Sequence, residues 1–339
     1  MSLSLRVVTI AIASVLALVG AQRRPITHAT SVSYGTGTWQ ADSLGNHRVV
    51  LHVDAPLNAT PRTHPEAVHA YIPWRRRDDE PEKKNIIVVD ATTGTRVMNV
   101  ARVAISRESG DLVFQPATMP GDYYVYFMPF RRANKSANYP KIVYQAPEPT
   151  ADATWLSRNQ LNNTNGDDAW RSLPAARVVR YQSVDSLDAF TPMEIIATRS
   201  ETQALLARNP KSTYLVFPED RSNSIRMATD LPQRWIETGA DAAFHGNADR
   251  GEFYVFQLGV FAARQSLADV RSVFSDLTGP GGHVIPASRI ESFNTGGVNW
   301  IGQPFTKVVT VDQGHVQPLW IGTDIPVDAS PGDYSGIVT

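Results

Sequence analysis

The chain has 339 residues, which is long enough for two or three domains. Hydrophobic residues make up 42% of it and charged residues 19%, which is typical of a globular protein that buries sizeable cores. The formal net charge is −1, so the composition indicates neither nucleic-acid binding nor an acidic tail. The sequence contains no cysteine, which excludes disulfide bonds, thiolate nucleophiles and cysteine metal sites.

The amino terminus has the features of a secretory signal peptide. Arg6 precedes the apolar stretch VVTIAIASVLALVG, and small residues end at Ala21. This stretch is shorter than the ~20 residues of a membrane-spanning helix, and no later segment is apolar enough for one. We therefore expect residues 1–21 to be cleaved after Ala21 and the mature chain to be secreted, without a membrane anchor. Three N-x-S/T sequons are glycosylation sites only in a eukaryotic host: Asn58, Asn134 and Asn162.

Residues 25–132 have the pattern of strands and turns. In RVVLHVD, Val49, Leu51 and Val53 share one face of a predicted strand. The turn PGDY, Pro120 to Tyr123, leads into the aromatic run YYVYFMPF, which favours a half-buried strand. The regular spacing of such segments predicts a first β-sandwich over 25–132.

Residues 133–211 differ from this pattern and predict a connector of helices and loops. One short helix is expected after Thr150 as its cap. A second is expected from Thr191, with Pro192 in its first turn and Glu194 completing a capping box.

Residues 212–339 return to strands and predict a second β-sandwich. In GEFYVFQLGVFAA, the even positions from Tyr254 to Ala262 form a continuous core face. The odd face is also too apolar for water, and Gly259 permits another group to approach closely. We therefore expect a cover over this face from the connector or from a further domain. An exposed apolar patch near Phe253, Val255 and Phe261 is expected where that cover is lacking.

The turn PGDY recurs at Pro331 to Tyr334, where SGIVT begins to alternate like a strand. Recurrence of the turn in two regions favours two sandwiches, with the second truncated at its C-terminal end. The predicted fold is therefore mainly β, with two immunoglobulin-like β-sandwich domains joined by a partly helical connector.

The densest polar segment is FHGNADRGEF, which offers His245, Arg250 and Glu252 as candidate substrate-binding residues. These side chains could form an acid/base set or an Arg–carboxylate clamp. The favoured interpretation is a structural loop whose Arg and Glu pair with each other, and a support for a neighbouring domain is a third option. Trp300 is a further candidate, because aromatic rings stack on sugars, although large aromatics are usual in sandwich cores.

No pattern predicts a catalytic pair, a metal site or a cofactor. Glu219 and Asp220 are adjacent on a predicted strand, so their side chains should point in opposite directions. The expected structural alternative is a turn closed by Arg221 or Arg226. The histidines lack metal-ligand spacing, and hydrolase, phosphate and dinucleotide motifs are absent from the sequence.

Several phrases resemble the N-terminal β-sandwich region of glycoside hydrolase family 123. They are GEFYVFQLGV, FNTGGVNW, VQPLWIGTDIP and the closing PGDYSG, all within 212–339. IPWRRRDDEPEKKNIIVVD and GDYYVYFMPF look similar to the domain that precedes it in many such proteins. The resemblance implies a secreted glycosidase with a downstream (β/α) barrel, a carbohydrate substrate and hydrolysis of β-linked N-acetylgalactosamine. The family's catalytic Asp-Glu pair lies on that barrel and matches no residue here, so no catalytic residue is expected.

These observations leave three functions open. The first is a non-catalytic β-sandwich region of a secreted glycoside hydrolase, whose partner is the downstream barrel. The second is a free-standing secreted carbohydrate-binding or adhesion protein. The third, a small enzyme that uses the His245–Glu252 loop, has the least support.

Overall fold

The computed structural model describes residues 5–6, 32–55, 65–134, 136, 138–162, 169–240 and 243–339. The chain divides into two compact units, Pro25–Thr191 and Pro192–Thr339 with Met1–Arg24. Apart from Leu5 and Arg6, the predicted signal peptide lies outside the described residues, as does Asn58.

The elements that precede residue 192 are mostly strands. After β1 (Leu5–Arg6), they are β2 (Ser33–Thr36), β3 (His47–Val53), β4 (Val68–Ile72), β5 (Ile86–Asp90), β6 (Val100–Ile105), β7 (Gly110–Phe114), β8 (Gly121–Phe127), β9 (Phe130–Arg132), β10 (Ile142–Tyr144) and β11 (Ala175–Ser183). The helices are α1 (Ala41–Leu44) and α2 (Ala153–Arg158), with 3-10 turns at Pro81–Lys83 and Ala169–Ser172.

Two sheets of the first unit meet at β11. The strands follow the order β5-β8-β3-β11-β4-β7-β6, and β2 also pairs with β11. Ala175 and Ala176 pair in parallel with β4, whereas the rest of β11 pairs antiparallel with β3. A register shift between Val178 and Arg180 accompanies this change of partner, as a β-bulge does where a strand bends.

The core of the first unit lies between these sheets. Its buried side chains come from alternate positions of the strands, as expected when one face of each strand packs inward. They include Val49, Leu51 and Val53 of β3, Val68, Ala70 and Ile72 of β4, Leu112 and Phe114 of β7, and Tyr123, Val125 and Phe127 of β8. The predicted inner face of β3 and the strand after the first PGDY turn are thus confirmed.

The first unit extends further along the chain than its predicted end at residue 132. β11 lies within the predicted connector 133–211, and Ala176 and Tyr181 of β11 belong to the first core. The pattern did not predict this strand because arginines at 177 and 180 interrupt its apolar alternation. The boundary between the units therefore falls at Thr191.

Both predicted helices begin later than expected. Asp152, not Thr150, caps α2 and accepts a hydrogen bond from the Trp155 N–H at 2.9 Å. The helix expected from Thr191 begins after Thr198, which forms the capping box with Glu201. Both Thr-x-x-Glu pairs fit the capping pattern, but Ile196 forms a β-bridge with Pro232, which keeps the preceding segment extended.

The second unit combines one central sheet with short hairpins. Its strands are β12 (Leu215–Asp220), β13 (Phe253–Phe261), β14 (Leu277–Thr278), β15 (Val284–Ile285), β16 (Ile290–Ser292), β17 (Gly296–Val298), β18 (Pro304–Thr306), β19 (Val316–Asp324) and β20 (Ile337–Val338). Its helices are α3 (Arg199–Arg208) and α4 (Gln233–Thr238), with 3-10 turns at Pro280–Gly282 and Ala287–Arg289. The central sheet has the antiparallel order β12-β13-β19-β16, and β20 pairs with β1.

The central sheet is covered on its inner face and on one end of its outer face, and the sequence of β13 predicts such a second cover. The inner face carries Tyr254, Phe256, Leu258 and Val260 in one core cluster. On the outer face, Trp235 of α4 lies so close to Gly259 that an added Cβ would approach its ring to 2.3 Å. Glycine at this position therefore allows the indole ring to pack directly on the strand.

The helices cover only one end of the outer face. Phe261 is buried in a cluster with Leu205 of α3 and Trp235 of α4. At the other end Phe253 is 47% exposed and Val255 is half-buried. The predicted apolar patch therefore includes Phe253 but not Phe261, because the chain's own helices pack over Phe261.

Candidate functional site

The candidate polar loop, residues 244–252, packs against the start of β13. Phe244 stacks on Phe256 with ring centroids 4.3 Å apart and an angle of 7° between the planes. A Cβ added to Gly246 would lie 2.2 Å from the Tyr254 hydroxyl, so the loop backbone approaches this ring closely. These contacts fix the loop on the core cluster of the second unit.

Hydrogen bonds hold the Glu252 carboxylate in place at the end of this loop. Its carboxylate accepts a hydrogen bond from the Asp249 backbone N–H at 2.8 Å and another from the Arg221 guanidinium. The backbone hydrogen bond, followed by the contact with Arg221, lowers the pKa of Glu252 below its ordinary value. Glu252 is therefore ionised at neutral pH, whereas a general acid needs a raised pKa.

Tyr254 and Asp220 form a second polar pair at this end of the sheet. The Tyr254 hydroxyl donates to Asp220 Oδ2 at 3.2 Å. Burial, followed by the charge of Asp220, raises the pKa of Tyr254 to about 12. Hydrogen bonding by the Ser222 backbone N–H lowers the pKa of Asp220. The tyrosine is therefore protonated and the carboxylate ionised at neutral pH, which favours a stable structural contact.

Glu219 and Asp220 do not form a catalytic pair. Glu219 is 4% exposed and accepts hydrogen bonds from Arg234 Nε at 3.0 Å and Trp235 Nε1 at 2.8 Å. It lies on the helix-covered face, while Asp220 contacts Tyr254 of the opposite face. The predicted opposite orientation is confirmed. Arg234 binds Glu219, since α4 lies over this face.

The other candidate residues lie at separate exposed positions. His245 and Arg250 are exposed, and within the described residues Arg250 makes no hydrogen bond or ion pair. The expected pairing of Arg250 with Glu252 is therefore wrong. Arg221 replaces it, because the antiparallel pairing of β12 with β13 brings the end of β12, which Arg221 follows, to the start of β13, which Glu252 precedes. Arg221 and Glu252 are 31 residues apart in the sequence, so the local pattern did not predict this pair.

Trp300 lies at the tip of the β17–β18 hairpin and is 94% exposed. Asn299 stabilises this tip, because its Oδ1 accepts hydrogen bonds from the backbone N–H groups of Ile301 at 3.1 Å and Gln303 at 2.9 Å. The hairpin therefore presents Trp300 to solvent, and the expectation of a buried core tryptophan is wrong here.

Neither a metal-binding cluster nor a membrane-spanning helix occurs within the described ranges. These residues contain no group of three or more His, Cys, Asp or Glu side chains arranged to hold a metal ion. In the same part of the chain, no helix has both the length and the apolar character needed to cross a membrane.

Comparison with known proteins identifies one domain of the chain. Residues 37–184 match the family model described as glycoside hydrolase 123, N-terminal domain. The first unit therefore contains a region that is similar to the N-terminal domain of glycoside hydrolase family 123. The resemblance in the sequence predicts this domain at 212–339 instead. The matched residues lie in the first unit, whereas the phrases GEFYVFQLGV, FNTGGVNW, VQPLWIGTDIP and PGDYSG lie in the second.

One solved structure that the chain is similar to is a family 123 glycoside hydrolase from Clostridium perfringens, described in connection with glycolipid glycan hydrolysis. The identity is 20% and the TM-score 0.28, over 38% of this chain. The match spans 24% of the length of that chain. No curated protein matches the sequence.

Proposed function

We propose that this chain is the non-catalytic β-sandwich region of a secreted glycoside hydrolase. The observation that carries the proposal is the match of residues 37–184 to the N-terminal domain of family 123. In this proposal a downstream (β/α) barrel supplies catalysis and acts on a carbohydrate, with β-linked N-acetylgalactosamine as the expected sugar. The features of a signal peptide in residues 1–21 support export of the protein.

The environment of the acidic residues supports a non-catalytic role. Retaining and inverting glycosidases need two carboxyl groups on either side of the bond, one of them with a raised pKa. At the end of β12 and the start of β13, Asp220 and Glu252 both have lowered pKa values, because backbone N–H groups stabilise their charge. Glu219 is buried against Arg234 and Trp235. None of the three is therefore suited to protonate a leaving group.

The proposal is tested by incubating the purified chain with a panel of 4-nitrophenyl glycosides that includes the N-acetyl-β-galactosaminide. We expect no release of nitrophenol above the buffer rate, while a β-N-acetylhexosaminidase in the same plate gives the positive control. Circular dichroism of the same sample establishes that the chain is folded. Turnover by the wild type that Glu252→Gln abolishes would contradict the proposal and favour an enzyme built on the 244–252 loop.

A second candidate function is a free-standing carbohydrate-binding or adhesion protein. The exposed rings of Trp300 and Phe253 favour it, because exposed aromatic faces suit sugar stacking. This function predicts glycan binding by the chain without any barrel.

A further inference from the structure

Three aromatic rings lie together on the outer face of the central sheet in the second unit, at the end that the helices leave open. They are Phe253 of β13, Trp320 of β19 and Phe293, which follows β16, and we name them the aromatic platform. The Phe293 centroid lies 6.1 Å from that of Phe253 and 6.0 Å from that of Trp320. Phe253 is 47% exposed and Phe293 37% exposed, and Trp320 is half-buried.

Gly322 determines how the Phe253 ring lies. A Cβ added to Gly322 would meet the ring at 2.1 Å from Cζ and 2.6 Å from Cε1. The ring therefore lies over the bare backbone of β19, in space that any other side chain would occupy. With one side on the sheet, its exposed area is the side available to a ligand.

Charged groups surround the platform. Glu291 lies opposite Gly322 in the register of β16 and β19, and Asp324 lies opposite Phe253 in that of β13 and β19. Directly opposite residues have Cβ atoms about 5 Å apart, so both acidic side chains leave the backbone beside the rings. Arg289 pairs with Asp324, whereas within the described residues Glu291 makes no hydrogen bond or ion pair. The surroundings therefore retain one uncompensated acceptor.

The Phe293 plane is tilted by 53° to that of Phe253 and by 55° to that of Trp320, so a flat ligand stacks on one ring at a time. We propose that the Phe253 ring of the aromatic platform binds the apolar face of a neutral hexopyranose, with Glu291 accepting hydrogen bonds from its hydroxyl groups. The C–H groups of a sugar face carry partial positive charge and pack on the negative face of an aromatic ring. Hydroxyl donors satisfy a free carboxylate with a charge-assisted hydrogen bond. The combination of exposed rings and a free acceptor thus matches a ligand with one apolar face and a polar edge.

The charges disfavour other occupants of this surface. An apolar protein partner would bury Glu291 without a counter-charge, which is costly. An anionic membrane would be repelled by the unpaired carboxylate of Glu291, and so would an acidic sugar. This site goes beyond the proposed non-catalytic role, because it lies outside residues 37–184 and does not require a barrel, and it rests on the carbohydrate-binding function given as the second candidate.

Saturation-transfer difference NMR of the whole chain tests the site with three probes, the methyl β-glycosides of galactose, glucose and N-acetylgalactosamine. We expect transfer from the protein to the axial ring protons of at least one of them. Phe253→Ala should weaken binding about five- to tenfold, the loss that corresponds to one aromatic contact. Phe253→Tyr, which keeps a ring, should restore it. Tyr214→Ala is the matched control, because Tyr214 is 39% exposed in the same unit but precedes β12.

A charge variant provides an independent measurement. Glu291→Gln should weaken binding of the neutral probe and remove the discrimination against methyl β-glucuronide. Absence of transfer to all three neutral probes would overturn the proposal, as would equal affinities of the wild type and Phe253→Ala. The nitrophenyl glycoside assay tests only the non-catalytic role, and the NMR experiment tests only this binding site. Either proposal can therefore be contradicted while the other stands.

Discussion

The turn PGDY occurs once in each unit, and the two copies show what the four residues determine by themselves. Both place a buried tyrosine whose hydroxyl contacts backbone before the turn. Tyr123 donates to the Thr118 carbonyl at 2.7 Å and accepts from the Thr118 N–H at 2.8 Å, whereas Tyr334 donates to the Ser330 carbonyl at 3.0 Å. The four residues and their immediate neighbours are therefore sufficient to determine the turn and the contact of its tyrosine hydroxyl with the backbone.

The strands that follow the two turns differ. β8 runs from Gly121 to Phe127 and pairs with β3 on one side and β5 on the other. After the second copy, β20 has two residues and pairs with β1. The same turn thus leads to a central strand in one unit and a short pairing in the other, since strand length depends on the neighbours that supply hydrogen bonds.

The largest effect is expected for Tyr123→Ala. This substitution removes a fully buried ring from the first core, and deletions of this size cost about 3–5 kcal/mol of unfolding free energy. Urea denaturation with peptide-resolved hydrogen exchange should show the loss within residues 32–191. Tyr71→Ala, at a half-exposed position of β4, is the control and should change stability little. Equal losses in both variants would contradict the assigned core.

Acidification should destabilise the first unit before the second. His47 stacks on Phe127, the last residue of β8. Burial, followed by the charge of Arg76, lowers the pKa of His47 from 6.5 to about 4, against the opposing charges of Asp78 and Asp185. Because the unfolded chain binds the proton more tightly, the stabilisation is complete above pH 6.5 and is lost as pH falls towards 4. The loss amounts to about 3 kcal/mol.

The second unit should respond at lower pH, since Glu252 and Asp220 have lowered pKa values. Their contribution is present above the ordinary carboxyl pKa of about 4 and is lost below it. Urea midpoints of both units between pH 7 and pH 4 measure the difference. His47→Gln should flatten the pH dependence of the urea midpoint of the first unit. An unchanged dependence would contradict the lowered pKa assigned to His47.

The tyrosine hydroxyls should differ in the free energy that their loss costs. Tyr123→Phe leaves both the N–H and the carbonyl of Thr118 without this partner, so we expect a loss of about 1–3 kcal/mol. Tyr334→Phe removes one longer hydrogen bond, and we expect about 0.5–1.5 kcal/mol. Thermal unfolding of each variant and of the wild-type chain checks which substitution costs more unfolding free energy. A larger cost at Tyr334 would reverse the comparison.

The smallest effect concerns the polar loop of the second unit. Arg221→Ala should raise the pKa of Glu252 towards its ordinary value, because the charge and hydrogen bond of Arg221 help to lower it. Arg250→Ala should leave that pKa unchanged. Carbon-13 NMR titration of the Glu252 carboxyl distinguishes the two variants, and a shift caused by Arg250→Ala would restore the expected pairing of Arg250 with Glu252.

Local patterns predicted much of the fold. Alternation identified the inner faces of β3 and β13, and Gly259 indicated the close approach that Trp235 makes. The pattern did not predict β11, whose partner β3 lies far away in sequence and whose apolar alternation is interrupted. Helix starts were displaced because more than one Thr or Asp fits a capping pattern, and tertiary contacts select among them.

The sites were less predictable than the strands. His245, Arg250 and Glu252 share a loop, but proximity in sequence did not make partners of Arg250 and Glu252. Arg221 reaches Glu252 only through the pairing of β12 with β13. The aromatic platform likewise needs the register that brings β13, β16 and β19 together. The local sequence feature that indicates the aromatic platform is Gly322 inside β19, because a glycine in a strand lets a ring lie against the backbone.

The most direct test of the central claim is to sequence the transcript beyond the codon for Thr339. The account predicts an open reading frame that continues for about 250 residues or more of alternating strands and helices, the size of a (β/α) barrel, with paired acidic residues at strand ends. A stop codon directly after Thr339 would contradict the proposal that this chain is the non-catalytic region of a larger glycoside hydrolase.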